Sequence, residues 1–355
     1  MSRKPEFNER VVRLAPPSQH YSLLVAEDGR MLGLDENGHA ELIEDGDDRV
    51  IWSRQSDGLK HVLSGRVIQA PSDDLSVALP VGGQQVVFAI SHGPEKLPSE
   101  YLQTLREDGF VCLNSIIASE VVEGLRRVAC VGPYEDLEPA TGIPKICQDV
   151  AVGRALVEPV SLWVLRQYLG HHDVHLGHPP GMAVVVPNIL AQAGRGWHMD
   201  QPYTRSNSGQ IFDRGGPPRA CNRNFSVSEF THVNGATAFV AGSHKGDFLP
   251  PKEWNAPLLE DPPGMPYSGP EATVYEVPSG SIALYDSRTW HRAGFNRSDH
   301  KRAAMLSSGQ VPGVIPKTDP IHSYNRLTQT PVFTELNDRE QREVRALMVM
   351  QPGAA

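Results

Sequence analysis

Residues 273–286 read TVYEVPSGSIALYD, and this stretch sets the fold class. Two short runs, 273–277 and 281–286, flank the turn residues Pro278, Ser279 and Gly280. Runs of five or six residues bounded by Pro and Gly are too short for helices and read as strand, turn, strand. Working outward, further short runs at 181–187, 224–230, 236–240 and 302–308 predict a block of strands. Upstream the texture is helical. Ser99 can cap a helix carrying Tyr101, Leu102 and Leu105 that Gly109 stops, and the strand Phe110–Leu113 follows. Ser119 opens a second helix whose Val121, Val122, Leu125 and Val128 share a face. Helical spacing resumes over 151–169, with Pro159 as a break and Gly170 as a stop. Asn337 and Glu340 form a capping box for a closing helix that presents Val344, Leu347 and Met348. Helices followed by six or more short strands predict an α+β chain, mainly β, with a jelly-roll core.

The texture changes near residue 94. Before it, runs at 21–26, 31–34 and 40–43 are split by Asp28-Gly29 and Asn37-Gly38, which are hairpin signals, and Val86–Ile90 is a clear strand. The expectation is therefore a β-hairpin region over 1–93 with no visible chemistry, and a catalytic domain over 94–355.

With 355 residues, 39% of them hydrophobic, the chain is long enough to bury a sizeable core. A net charge of −9 repels a phosphate backbone and argues against nucleic acid as a partner. Cys112, Cys130, Cys147 and Cys221 stand far apart with no C-x-x-C pair, which argues against a disulfide framework and a structural zinc site. No run approaches 18 apolar residues, and the opening MSRKPEFNERVVRL lacks a signal peptide's apolar centre. A cytoplasmic protein without a membrane partner is the expectation.

The chemistry centres on Trp197-His198-Met199-Asp200 and, about ninety residues on, Trp290-His291. In extended chain, residues i and i+2 share a face, so His198 and Asp200 can grip one ion. A second histidine would complete two imidazoles and one carboxylate, the facial set of non-haem Fe(II) sites. The triplet alone is a weak signal. With 14 His and 20 Asp, an H-x-D arises roughly once by chance in such a chain, and His171-His172-Asp173 is a second copy. That copy follows a helix end and leads into Gly177 and Pro179-Pro180, so it reads as a surface loop. Arg302, at the head of a strand, can hold a carboxylate through two parallel hydrogen bonds.

These residues sit in ordered blocks that resemble the phytanoyl-CoA dioxygenase family of Fe(II)/2-oxoglutarate-dependent oxygenases. The blocks are Leu105–Val111, Val233-Asn234-Gly235-Ala236-Thr237, Ala241-Gly242-Ser243-His244-Lys245, and Pro278 through Asp286 to Trp290-His291, Asn296-Arg297 and Arg302. They span roughly 95–310. The resemblance implies a double-stranded β-helix, iron held by His198, Asp200 and His291 as the catalytic set, and 2-oxoglutarate held by Arg302, 11 residues past His291. It further implies O2 as cosubstrate, oxidation of an unactivated C–H, chiefly by hydroxylation, and release of succinate and CO2. Desaturation, epoxidation and ring formation are open to the same centre. Asp200 argues against halogenation, since halogenases of this kind replace that carboxylate. His244 is not a ligand in this reading. Three positions depart from the family pattern: Ala293 replaces a hydroxyl residue, Asn224 a tryptophan and Ala241 a proline.

The loop after Asp200 carries Tyr203, Arg205, Arg214, Arg219 and Arg223, and long loops on a scaffold tend to bind ligands. Trp197, Tyr203, Arg205, Arg223 and Trp290 are the candidate contacts to a small-molecule substrate, whose anionic groups the arginines would suit. The same arginines fit a solvated loop, and the same aromatics fit a core. Two other functions remain open: a non-catalytic jelly-roll binding or regulatory protein, and a metal-dependent hydrolase using the triad on zinc. The sequence leaves substrate identity and oligomeric state open.

Overall fold

The computed structural model describes residues 9–17, 20–35, 37–56, 58–70, 75–187, 196–204, 209–246, 248–250, 271–294 and 296–350. Two facing sheets form the heart of the chain. The larger joins β10 (Phe110–Leu113), β16 (Ile282–Asp286), β13 (Ala220–Ser226) and β18 (Arg302–Gln310), with β11 (His175–Leu176) and β12 (Gly181–Val185) both on the far side of β18. All of its pairings are antiparallel. The smaller runs β1 (Glu9–Arg13), β15 (Ala272–Glu276), β14 (Ala238–Phe239) and β17 (His291–Arg292). The expected turn at Pro278–Gly280 carries the chain from β15 in one sheet to β16 in the other. This is the double-stranded β-helix, a jelly roll flanked by helices.

Alternation along the strands separates two cores. On β18, Ala304 and Leu306 face the space between the sheets, packing with Trp197, Val274 and Ala238. Ala303 and Met305 face the opposite way, onto a helical layer. That layer comprises α1 (Pro98–Asp108), α2 (Ser119–Ala129), α3 (Val150–Leu156), α4 (Pro159–Leu169) and, near the end, α5 (Ile321–Leu327), α6 (Pro331–Thr334) and α7 (Asp338–Met348). The Asn337–Glu340 capping box opens α7, and the break at Pro159 and stop at Gly170 fall where the sequence predicts.

Several boundaries differ from the sequence reading. Ser99 is not the cap of α1: Pro98 is its first residue, and the Ser99 N–H donates instead to Asp48 Oδ1 at 2.9 Å. Strand β13 begins four residues before the expected 224–230, because Asn222 and Arg223 mask its period while each finds a polar partner. Helices α5 and α6 carry too few apolar residues for the sequence to signal them.

The N-terminal hairpins form a curled sheet in the order β4 (Ala40–Ile43), β3 (Met31–Leu34), β2 (Ser22–Ala26), β5 (Trp52–Gln55), β6 (Gly58–His61) and β7 (Val67–Gln69). A further hairpin of β8 (Ser76–Val81) and β9 (Gln84–His92) joins it through β2. Leu24, Leu32, Trp52, Leu59 and Phe88 make its core. Arg339 fastens this sheet to the helices, with Nε donating to the Glu44 carbonyl at 2.9 Å and both Nη atoms to the Val157 carbonyl at 3.2 Å.

Candidate metal centre

Three backbone hydrogen bonds assemble the site. His198 and His291 form a β-bridge, exchanging N–H to carbonyl bonds of 3.0 and 3.1 Å, and the Asp200 N–H donates to the Ser287 carbonyl at 2.8 Å. His291 follows a turn that is itself tied down. The Arg288 guanidinium grips Asp286, Nη2 to Oδ2 at 2.6 Å, and Tyr168 donates its hydroxyl to the same carboxylate at 2.5 Å. The Asp286 N–H and the Thr289 hydroxyl both donate to the Gly109 carbonyl, at 2.9 and 2.7 Å. Gly109 sits at φ +84 against His244, where no side chain fits.

His198, Asp200 and His291 bring one donor atom each to within 4.8 Å of one another. The ring orientation is informative. His198 Nδ1 lies 2.9 Å from the Gly196 carbonyl and His291 Nδ1 lies 2.9 Å from the Thr289 carbonyl. A carbonyl only accepts, so each Nδ1 carries a proton, and Nε2 is the atom each ring would offer a metal in its neutral form. Those two atoms face Asp200, 3.8 Å from Oδ1 and 3.3 Å from Oδ2. Loss of water would raise the Asp200 carboxyl, yet the two histidines and the Tyr285 hydroxyl hold it at about 2. Burial opposes charge on His291, but Asp200 outweighs it and raises that ring. Two bare imidazole nitrogens and an ionised carboxylate fit a divalent first-row metal with open positions.

Arg302 lies at the head of β18 on its inward face, 4% exposed. Its Nη2 donates to the Gly235 carbonyl at 2.6 Å, its guanidinium lies 4.5 Å from the Phe230 ring centre, and its Nε has no partner. Burial lowers it to about 10, with no carboxylate among the described residues to oppose the shift. A buried cation of this kind fits an incoming carboxylate.

The expected substrate contacts scatter. Arg223 alternates with Asn222 and points the other way, into the helical layer, where Nη1 donates to Ser161 Oγ at 3.3 Å. Tyr203 is buried beneath Arg288, and its hydroxyl accepts the Arg219 N–H. Trp197 packs in the inter-sheet core under Arg292, and the Trp290 indole donates to the Phe248 carbonyl at 3.1 Å. Arg205 lies outside the described residues. The side chains of Tyr203 and Arg223 thus find partners away from the triad, although the Tyr203 N–H donates to the Asp200 carbonyl at 3.3 Å. His171, His172 and Asp173 are exposed, and buried His244 sits 3.2 Å from the Arg106 carbonyl. Residues that the sequence reading passed over do reach the site: Asn222 Nδ2 donates to Asp200 Oδ2 at 2.7 Å and the Tyr285 hydroxyl lies 3.4 Å from it. Polar residues at alternate positions 222 and 224 of a strand were their signal.

Residues 150–304 match the family model described as Phytanoyl-CoA dioxygenase (PhyH), so the resemblance read from the sequence holds over that span. Two curated relatives share the name dioxygenase. Dioxygenase cdmA of Talaromyces verruculosus is 25% identical over 232 residues, 59% of this chain and 71% of its own. Dioxygenase olcK of Penicillium canescens is 26% identical over 243 residues, 60% of this chain and 74% of its own. Among solved structures, the epimerase SnoN in complex with Fe3+, alpha ketoglutarate and nogalamycin RO aligns at a TM-score of 0.42 and 15% identity, over 62% of this chain and 86% of that one.

Proposed function

We propose that this chain is a non-haem Fe(II)- and 2-oxoglutarate-dependent dioxygenase that oxidises, chiefly by hydroxylation, an unactivated C–H of a small organic molecule, releasing succinate and CO2. The observation that carries this is the convergence of two Nε2 atoms and the Asp200 carboxylate, together with a buried Arg302 on the facing sheet that has no carboxylate partner among the described residues. Iron bound there supplies the means to activate O2 at the expense of 2-oxoglutarate.

The chain's own residues do the rest. Carbonyls of Gly196 and Thr289 fix both rings in the metal-binding tautomer. Asn222 and Tyr285 hold Oδ2 of Asp200, so the carboxylate stays oriented rather than free to rotate. Arg302 would bind the distal carboxylate of 2-oxoglutarate, and its low-dielectric setting strengthens that contact. The side chains of Trp197, Ala304 and Leu306 pack as an apolar cluster in the inter-sheet space. Residues 94–355 are read as the oxygenase domain. A zinc hydrolase would use the triad but give Arg302 nothing to hold, and a binding module would need neither.

The test is succinate release from 2-oxoglutarate. Iron-loaded protein in air should form succinate, and Asp200→Ala or zinc in place of iron should stop it. No succinate from folded, iron-loaded protein, or hydrolysis supported by zinc, would overturn the reading.

A further inference from the structure

The described walls around Asp200 enclose a space that this reading leaves unassigned. Beside Asp200 is a cavity of about 160 Å³. That is about ten times what a single ordered water needs. Its floor follows from strand register. Tyr285, Asn222 and Ser308 lie side by side on β16, β13 and β18, and Ala283, Asn224 and Leu306 form the next row. Gln310 stands one inward position beyond Ser308. At about 3.3 Å per residue, Gln310 is some 26 Å along β18 from Arg302, and even Leu306 is some 13 Å away. A diacid held by Arg302 would therefore lie toward the opposite end of β18 from Gln310.

The chamber's polar groups are incompletely satisfied. Gln310 is 3% exposed, and its Oε1 has no hydrogen-bond partner. Leaving such an atom unpaired costs about 1–3 kcal/mol, so a donor is expected there. Tyr285 and Asn222 are already turned to Asp200. Among the described residues, exposed Lys317 at the rim is the only lysine or arginine lining the space, and Asp200 is the only carboxylate.

We propose that this chamber is the substrate's polar subsite and takes a small hydroxy or amino acid: its hydroxyl or amine donates to Gln310 Oε1, and its carboxylate meets Lys317. The inference rests on the oxygenase reading, which assigns Asp200 to the metal. A long chain does not fit a space this small, whose lining sets amides and hydroxyls beside Leu306 and His178.

Three matched probes test it: 4-hydroxybutanoate, butanoate and butan-1-ol. Each is titrated anaerobically into protein loaded with Fe(II) and 2-oxoglutarate, and read by calorimetry and by perturbation of the visible band of the chelate. 4-Hydroxybutanoate should bind at least tenfold more tightly than either of the others. Gln310→Leu should abolish its advantage over butanoate. Lys317→Glu, at an exposed position that does not threaten folding, should weaken both acids at least tenfold and leave the alcohol unchanged. The 2-oxoglutarate band itself should persist in both variants. If none of the probes binds the wild type, or if the variants bind them as the wild type does while the band persists, the subsite assignment is overturned and the oxygenase reading stands. Absence of the band in the wild type would remove the oxygenase reading, and this inference with it.

Discussion

At the scale of single residues, the site is defined by which atoms are left bare. Both histidines commit Nδ1 to a main-chain carbonyl, and Arg302 is buried with one backbone acceptor and no acid. On the proposed function, Arg302 is a binding residue held at a cost to the fold. Arg302→Met should lower 2-oxoglutarate affinity at least a hundredfold by calorimetry. The same change should leave thermal stability unchanged or raise it by about 0.5–2 kcal/mol, the usual direction when a binding group is replaced by packing. A loss of both would make Arg302 a structural residue instead. The ligand triplet was visible in the sequence, but so was its decoy. His171-His172-Asp173 fits the same H-x-D pattern as His198-Met199-Asp200; its helix-end, Gly/Pro-rich context marked it as a loop, and it lacks the backbone bridge that joins His198 to His291. Asn222 left a faint signal in the polar alternation with Asn224, whereas Tyr285 and Gln310 were not legible as site residues, because their importance comes from cross-strand register that a single sequence does not display.

At the scale of elements, two junctions position the site. Gly109 ends α1, and its carbonyl receives both the Asp286 N–H and the Thr289 hydroxyl from the turn before His291. Gly109→Ala would force a left-handed φ on a side chain and press a methyl into His244, costing about 2 kcal/mol or more. Chemical denaturation should show that loss, and metal affinity should fall with it as the His291 turn shifts. The second junction is between α4 and α7. Arg166 donates to both oxygens of Glu343 at 2.8 and 2.6 Å, with both side chains under a tenth exposed. Burial would raise the Glu343 carboxyl, but Arg166 and then Arg339 hold it below its ordinary value. The contribution is therefore present above the usual Glu range and lost as pH falls through the depressed value. Glu343→Gln should cost about 3–5 kcal/mol at pH 7 and progressively less in acid, read from urea midpoints at several pH values. The helix stops at Gly109 and Gly170 were legible because glycine there answers a local backbone demand. The Arg166–Glu343 pair was not, since 177 residues separate its members.

At the scale of the whole molecule, the N-terminal residues do two different things. Strands β2–β9 form their own sheet, while β1 leaves it and pairs in parallel with β15 in the smaller sheet of the core. Arg13 strengthens that pairing, with Nε 2.7 Å from Glu276 Oε2. Removing residues 1–16 should therefore expose β15 as a new edge, lowering the thermal midpoint and promoting self-association in sizing experiments. An unchanged midpoint with unchanged mass would show that β1 is dispensable. Local hairpin signals made the N-terminal sheet legible, whereas the long return of β1 to β15, more than 260 residues away, left no local trace. No helix among the described residues is long and apolar enough to cross a membrane.

The central claim is that His198, Asp200 and His291 hold iron while Arg302 holds 2-oxoglutarate. Anaerobic titration of apo-protein with Fe(II) and then 2-oxoglutarate, followed by visible absorption, tests it most directly. A weak charge-transfer band is expected in the wild type, absent in His198→Ala and reduced in Arg302→Met. No band in folded, iron-loaded wild-type protein, or an undiminished band in both variants, would contradict it.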